Sequence, residues 1–207
     1  MGRCDDPLVL KGTAFNVDEF VPTVPNHLPI IRHFESELYL FYGEYQRAAD
    51  SALEREKDFE NIFSSHAIIM IECFHRGIAL YAMARKSKNR KYKTAAVKVR
   101  KKVKRWSYNG NPNVKYYDSF LSAEHAALTN DFAKAEVQYQ KSIKQAARTG
   151  HLHHAGLFNE RYADFLKFER KDAEEANYRI SEAIRWYGEW GAQLKVKMLQ
   201  DALFEES

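Results

Sequence analysis

The chain has 207 residues, 45% of them hydrophobic and 14% aromatic, a composition that supports a folded core and excludes intrinsic disorder. Its 32 basic and 28 acidic residues leave a formal charge of +4. No apolar run approaches the roughly 18 residues of a membrane-spanning helix, and the opening MGRCDDPLVLKG has no apolar signal core.

Residues 1–25 read as an irregular lead-in carrying Pro7, Pro22 and Pro25. Met1-Gly2 with Cys4 suggests dual acylation, but Asp6 stands where a myristoylation pattern requires Ser or Thr. The remainder, 26–207, reads as one helical-repeat domain. A first helix is expected over 27–42, with Leu28, Ile31, Phe34, Leu38 and Phe41 on its inward face and Gly43 as its stop. The second, over 44–59, offers Tyr45, Ala48, Ala49 and Ala52 for close packing. Ser64 or Ser65 is the expected cap of a third helix, over 65–85, which is apolar nearly all round and therefore central.

The fourth helix is expected over 90–107, and SYNGNPN breaks it. Then follow helices over 114–128 and 132–148, a pair over 155–168 and 173–186, and a closing helix over 193–204. Trp186, Tyr187 and Trp190 are expected to pack beneath that closing helix. Strand patterns are nearly absent, so the fold class is all-α.

One helical stripe recurs three times. Ala95, Val99, Val103 and Trp106 end at Gly110; Ala135, Tyr139, Ile143 and Ala146 end at Gly150; Ala176, Ile180, Ile184 and Tyr187 end at Gly191. The copies lie 40 and 41 residues apart, and within each the apolar residues share one face. Such a period predicts a right-handed α-solenoid of antiparallel helix pairs, tetratricopeptide-like, in which each pair buries its apolar face on its neighbour.

Several segments carry a resemblance: YLFYGEYQRAAD at 39–50, GIALYAMAR at 77–85, AEHAAL at 123–128, NERYADF at 159–165 and YGEWGAQLKV at 187–196. With these the chain resembles the helical-repeat region of large multidomain signalling kinases. In those proteins a protein-kinase-like domain and an AAA-type ATPase precede the helices, and a GAF domain and a histidine kinase follow them. The resemblance implies a scaffold or regulatory module, either standing alone or as part of a larger ATPase/histidine-kinase polypeptide. The period exceeds the usual 34 residues and each unit lacks its terminal proline, so no peptide-groove residue is carried over.

The motifs of enzymes are missing. There is no GxxxxGK[ST] loop, no GxGxxG after a strand, no HExxH and no GxSxG elbow. No catalytic residue and no cofactor is assigned. His151, His153 and His154 have spacings that fit metal ligation poorly and read as a solvated helix start. Cys73 and His75 read as structural, while Glu160, Arg161 and Asp164 read as ordinary helix-surface support. Two cysteines without a CxxC pair suit a reducing cytoplasmic setting, with the nucleus as the alternative.

The strongest functional signal is electrostatic. Residues 85–105 hold 12 basic side chains and no acidic one, so this block carries +12 and the remainder of the chain −8. Lys98, Lys101, Lys102 and Arg105 form the basic patch on this helix. Three readings follow: a merely solvated face, which is the simplest; an acidic protein partner; or nucleic acid or an anionic surface. Sparse aromatics count against base stacking, since Tyr92 and Trp106 are the only two and Trp106 is expected inward. The favoured function is non-enzymatic protein–protein interaction in signalling, with Tyr117, Phe120, Glu124, Asn159 and Tyr162 as candidate groove residues.

Overall fold

The computed structural model describes residues 6–11, 15–21, 23–24 and 27–205. Met1, Gly2, Cys4, Pro22 and Pro25, and with them the acylation pattern, lie outside the described residues. Among the described residues the regular structure is all helical apart from one isolated antiparallel bridge between Lys11 and Asn16. They fold as two compact units, one ending at Tyr108 and the other beginning at Asn109.

The first unit holds α1 (His27–Phe41), α2 (Tyr45–Phe63), α3 (Ile68–Ser87) and α4 (Arg90–Tyr108), each packed mainly on its neighbours in sequence. Every residue from Glu72 to Arg85 is buried, as the all-round apolar pattern of α3 requires. The expected inward face of α1 needs correction. Ile31 and Phe41 are buried, but Leu28 and Phe34 are 43% and 46% exposed, and His33, Ser36 and Leu40 take the interior positions. Neither Ser64 nor Ser65 caps α3, which starts three residues later than expected with Ala67 at its cap position.

In the second unit a short 3₁₀ turn (Pro112–Val114) leads into α5 (Lys115–Leu128), α6 (Phe132–Arg148), α7 (Leu152–Phe165), a π-helical turn over Leu166–Arg170, α8 (Ala173–Trp190) and α9 (Gln193–Glu205). Again neighbours in sequence pack together. The second stripe is buried as expected at Ala135, Tyr139, Ile143 and Ala146. In the first copy Val99 and Val103 are buried as expected, Tyr92 and Ala96 are buried with them, and Ala95 and Trp106 are half-buried. In the third copy Ala176, Ala183 and Tyr187 are buried while Ile180 and Ile184 are half-buried. Trp190 does not go under the closing helix. It is 46% exposed and its ring stands 5.2 Å from that of His153.

Helix ends repeat in the backbone. Gly110, Gly150 and Gly191 all have positive φ, between 77° and 88°, so each stripe ends in a left-handed residue that glycine adopts without strain. Lys88, Asn130 and Lys171 are left-handed as well, at φ 57–61°, and each is followed by the cap of the next helix. The Asn89 side chain accepts from Lys91 N at 2.9 Å, Asp131 from Lys134 N at 3.4 Å and Asp172 from Glu175 N at 3.1 Å. A left-handed residue followed by an Asx cap thus opens α4, α6 and α8.

Candidate functional site

The chemistry concentrates on α4 and the helices beside it in the first unit. One side of α4, through Tyr92, Ala96, Val99 and Val103, is buried. Tyr92 fixes its position: the phenol donates to Asp50 Oδ1 at 2.8 Å and accepts from Gln46 Nε2 at 2.6 Å. With that side inward, the 100° turn per residue brings Arg90, Lys93, Val97, Lys101 and Arg105 into one outward stripe.

Beside the stripe runs a border of ion pairs with α2. Lys98 Nζ lies 3.2 Å from Glu56 Oε1, and Lys102 Nζ lies 3.0 Å from Glu60 Oε1. The same two carboxylates bind Arg76 of α3, each at 2.9 Å. Burial alone would raise the Glu60 carboxyl, but hydrogen bonds from Arg76 and Lys102 hold it below the ordinary carboxylate range. Deeper still, Glu72 is fully buried between Arg55 at 3.4 Å and Arg76 at 3.5 Å.

Glu56, Glu60, Arg76, Lys98 and Lys102, together with the outward stripe of α4, line a cleft of about 1120 Å³. Lys88, Arg90 and Lys93 stand at one end and Lys98, Lys101, Lys102 and Arg105 at the other, with Thr94 and Val97 between them and Glu56, Glu60 and Arg76 along the side. Eight cationic side chains therefore face two carboxylates. All four residues of the sequence-predicted basic patch line it. The expectation that they merely face water needs refining, because Lys98 and Lys102 are engaged with α2 while Lys101 and Arg105 face the cleft.

The five candidate groove residues lie elsewhere and are all buried. Tyr117 is 7% exposed, Tyr162 2%, Asn159 1%, and Phe120 and Glu124 are fully buried. Phe120 stacks on Phe158 with centroids 4.0 Å apart, and Tyr162 stacks on Tyr139 at 5.0 Å. Asn159 Nδ2 donates to Ala155 O at 2.8 Å. These side chains make the interior of the second unit and, so placed, offer a partner almost no surface.

Other expectations need correction in the same region. Arg161 is not surface support: it is 4% exposed and bonds Glu124 twice as well as Asp164 at 2.7 Å. Glu160 accepts the Tyr187 phenol at 2.5 Å and lies 2.8 Å from Lys195 Nζ. Nor is the HLHH segment wholly solvated. His154 is fully buried with Nδ1 3.1 Å from the Tyr116 hydroxyl, and His151 and His153 are half-buried. Cys73 is buried beside the Arg76 guanidinium at 3.2 Å, and burial pushes its thiol up to about 11.

Among the described residues no group of three or more His, Cys, Asp or Glu side chains is arranged to hold a metal ion, and no helix is long and apolar enough to cross a membrane. The α2–α3–α4 ion lattice was not legible in the sequence, where each member reads as an ordinary helix charge. Only the acid-free block at 85–105 pointed to the neighbourhood. Compared with protein-family models, with curated proteins and with solved structures, the chain matches none.

Proposed function

We propose that this chain is a non-enzymatic protein-interaction module that docks an acidic segment of a protein partner in the cleft beside α4. One observation carries the reading: eight cations and two carboxylates line a single open cleft along a rigid helix. Such an excess of one sign raises the local concentration of oppositely charged ligand and speeds its encounter. The helix that bears the stripe is held in place by Tyr92 and the Glu56 and Glu60 pairs, so binding costs little ordering of the receptor.

The wider architecture we propose is a tetratricopeptide-like, right-handed α-solenoid with a period of about 40 residues. The recurrence of left-handed glycines at 110, 150 and 191, and of left-handed residues ahead of caps at 88, 130 and 171, supports that period. A signalling setting in the cytoplasm or nucleus rests on the resemblance of 187–196 and its companion segments to the helical-repeat regions of multidomain kinases.

Titrating the ¹⁵N-labelled chain with a hexaglutamate peptide tests the docking site. Amide shifts are expected over residues 88–105 and around Glu56, Glu60 and Arg76. Shifts that fall mainly on α5–α9, or no shifts at all, would overturn the reading.

A further inference from the structure

Resting on the docking role of the cleft, we propose that its occupant is an extended peptide with two acidic clusters separated by a short apolar spacer, not a uniformly acidic chain. The distribution of charge along α4 carries this. Arg90 and Lys93 form one cationic end of the stripe and Lys101 and Arg105 the other, and none of the four makes an ion pair among the described residues. Between them the stripe shows Thr94 and the half-buried Val97, which offer no charge.

The carboxylates lie along the α2 side of the cleft, Glu56 beside Lys98 and Glu60 beside Lys102. Glu56 and Glu60 already occupy Lys98 and Lys102, and both share Arg76. An anionic group placed there meets cations that are already neutralised and two like charges that repel it. On the outward stripe, at Arg90 and Lys93 and again at Lys101 and Arg105, it meets open cations. The Arg90 end has a second reason to attract an anion, because α4 has no acidic residue in its first turn and its cations stand at the positive end of the helix dipole.

Length fixes the pattern. At a rise of 1.5 Å per residue, Lys93 and Lys101 are about 12 Å apart along the axis, and Arg90 and Arg105 about 22 Å. An extended chain advances about 3.3 Å per residue, so inner acidic residues four positions apart span about 13 Å and outer ones six apart about 20 Å. The segment EEALAEE has this spacing: its inner glutamates share one face of the extended chain with the leucine, which that face sets against Val97, and its outer glutamates add charge near Arg90 and Arg105. A nucleic-acid strand fits less well. Its evenly spaced phosphates would fall beside Glu56 and Glu60, and no aromatic side chain lines the cleft to stack a base: on α4 Tyr92 is buried, Trp106 is half-buried with Lys102 Nζ 5.3 Å from its ring, and the exposed Tyr108 stands at the helix end, outside the lining.

Fluorescence anisotropy with labelled EEALAEE and its isomer EEEEALA tests the proposal. The first should bind about tenfold more tightly, a preference large enough to resolve cleanly. Joint replacement of Arg90→Gln and Lys93→Gln, both at the helix surface, should bring EEALAEE down to the level of EEEEALA with the circular-dichroism spectrum unchanged. Equal binding of the two peptides to the native chain would overturn the bipartite pattern and leave acidic docking standing. Failure of both peptides to bind the folded chain would overturn docking as well. Heptathymidylate binding more tightly than EEALAEE would overturn both in favour of nucleic acid.

Discussion

Arg161 and Glu124 face each other across α7 and α5 with two parallel hydrogen bonds, Nε to Oε1 at 3.0 Å and Nη2 to Oε2 at 3.1 Å. Both side chains are buried, and the guanidinium also holds Asp164 at 2.7 Å. Water cannot take over a pair placed this deep. Replacing Arg161→Met should therefore destabilise the second unit by about 3–5 kcal/mol, because it leaves the Glu124 carboxylate buried without its guanidinium. The double replacement Arg161→Met with Glu124→Leu should recover much of that loss. Urea unfolding in which the double variant is as unstable as the sum of the singles would contradict this account of the pair.

Tyr187 and Gly156 make a second close relationship, between α8 and α7. A Cβ on Gly156 would come within 2.8–2.9 Å of the Tyr187 ring, closer than real contacts allow. The ring has little freedom to retreat, since it is fully buried and its hydroxyl donates to Glu160 at 2.5 Å. Gly156→Ala should cost about 1–3 kcal/mol as overpacking, and the cost should shrink in a Tyr187→Leu background. An unchanged thermal midpoint for Gly156→Ala would show that α7 and α8 do not approach as closely as described.

Two titratable groups of the first unit, the half-buried Glu37 and the buried His33, give opposing pH dependences. Burial pushes the Glu37 carboxyl up to about 7, and burial together with the Arg55 charge brings the His33 imidazole down to about 4. Across from Glu37 Oε1, His75 Nδ1 lies at 3.8 Å. The folded state favours protonated Glu37, whose stability contribution is complete below the ordinary carboxyl value of 4.5 and is lost as pH rises through about 7. It also favours neutral His33, whose contribution is present above 6.5 and is lost as pH falls towards about 4.

Between roughly pH 4.5 and 6.5 these two slopes cancel, each being at most about 1.4 kcal/mol per pH unit. Relative to the native chain, Glu37→Gln should therefore gain stability as pH rises through this window, and His33→Gln should lose it. Denaturation midpoints at pH 5 and pH 6 check both. Parallel behaviour of the two variants would contradict the assignment.

Much of the helical frame was readable because its signals are local. Gly43, Gly110, Gly150 and Gly191 follow apolar stripes and all adopt the left-handed conformation that stops a helix. The stripe at Ala135, Tyr139, Ile143 and Ala146 is buried as its spacing requires. Errors arose where an apolar residue had two faces to choose from. Ala95 and Ala96 are equivalent by composition, and the hydrogen bonds of Tyr92 to Asp50 and Gln46, made to another helix, decide that Ala96 goes inward.

Charged residues misled most. Arg161 and Glu124 sit on helices at spacings typical of a solvated surface, and only tertiary packing reveals that each is buried against an opposite charge. For the same reason Tyr117, Phe120, Glu124, Asn159 and Tyr162 read as groove residues when they form the interior. The basic patch was legible because nothing acidic interrupts residues 85–105. Its partition into cations held by Glu56 and Glu60 and cations open to the cleft was not legible, because it depends on where α2 lies.

The most direct test of acidic docking compares the native chain with a variant carrying Lys98→Gln, Lys101→Gln, Lys102→Gln and Arg105→Gln, using labelled hexaglutamate at two salt concentrations. At about 50 mM salt the native chain should bind clearly more tightly than the variant, and at about 300 mM the difference should largely vanish, because screening removes both the steering by the open Lys101 and Arg105 and the repulsion from Glu56 and Glu60 once Lys98 and Lys102 no longer neutralise them. Equal binding at low salt, with the variant folded, would contradict the account and leave these side chains as a wetted surface.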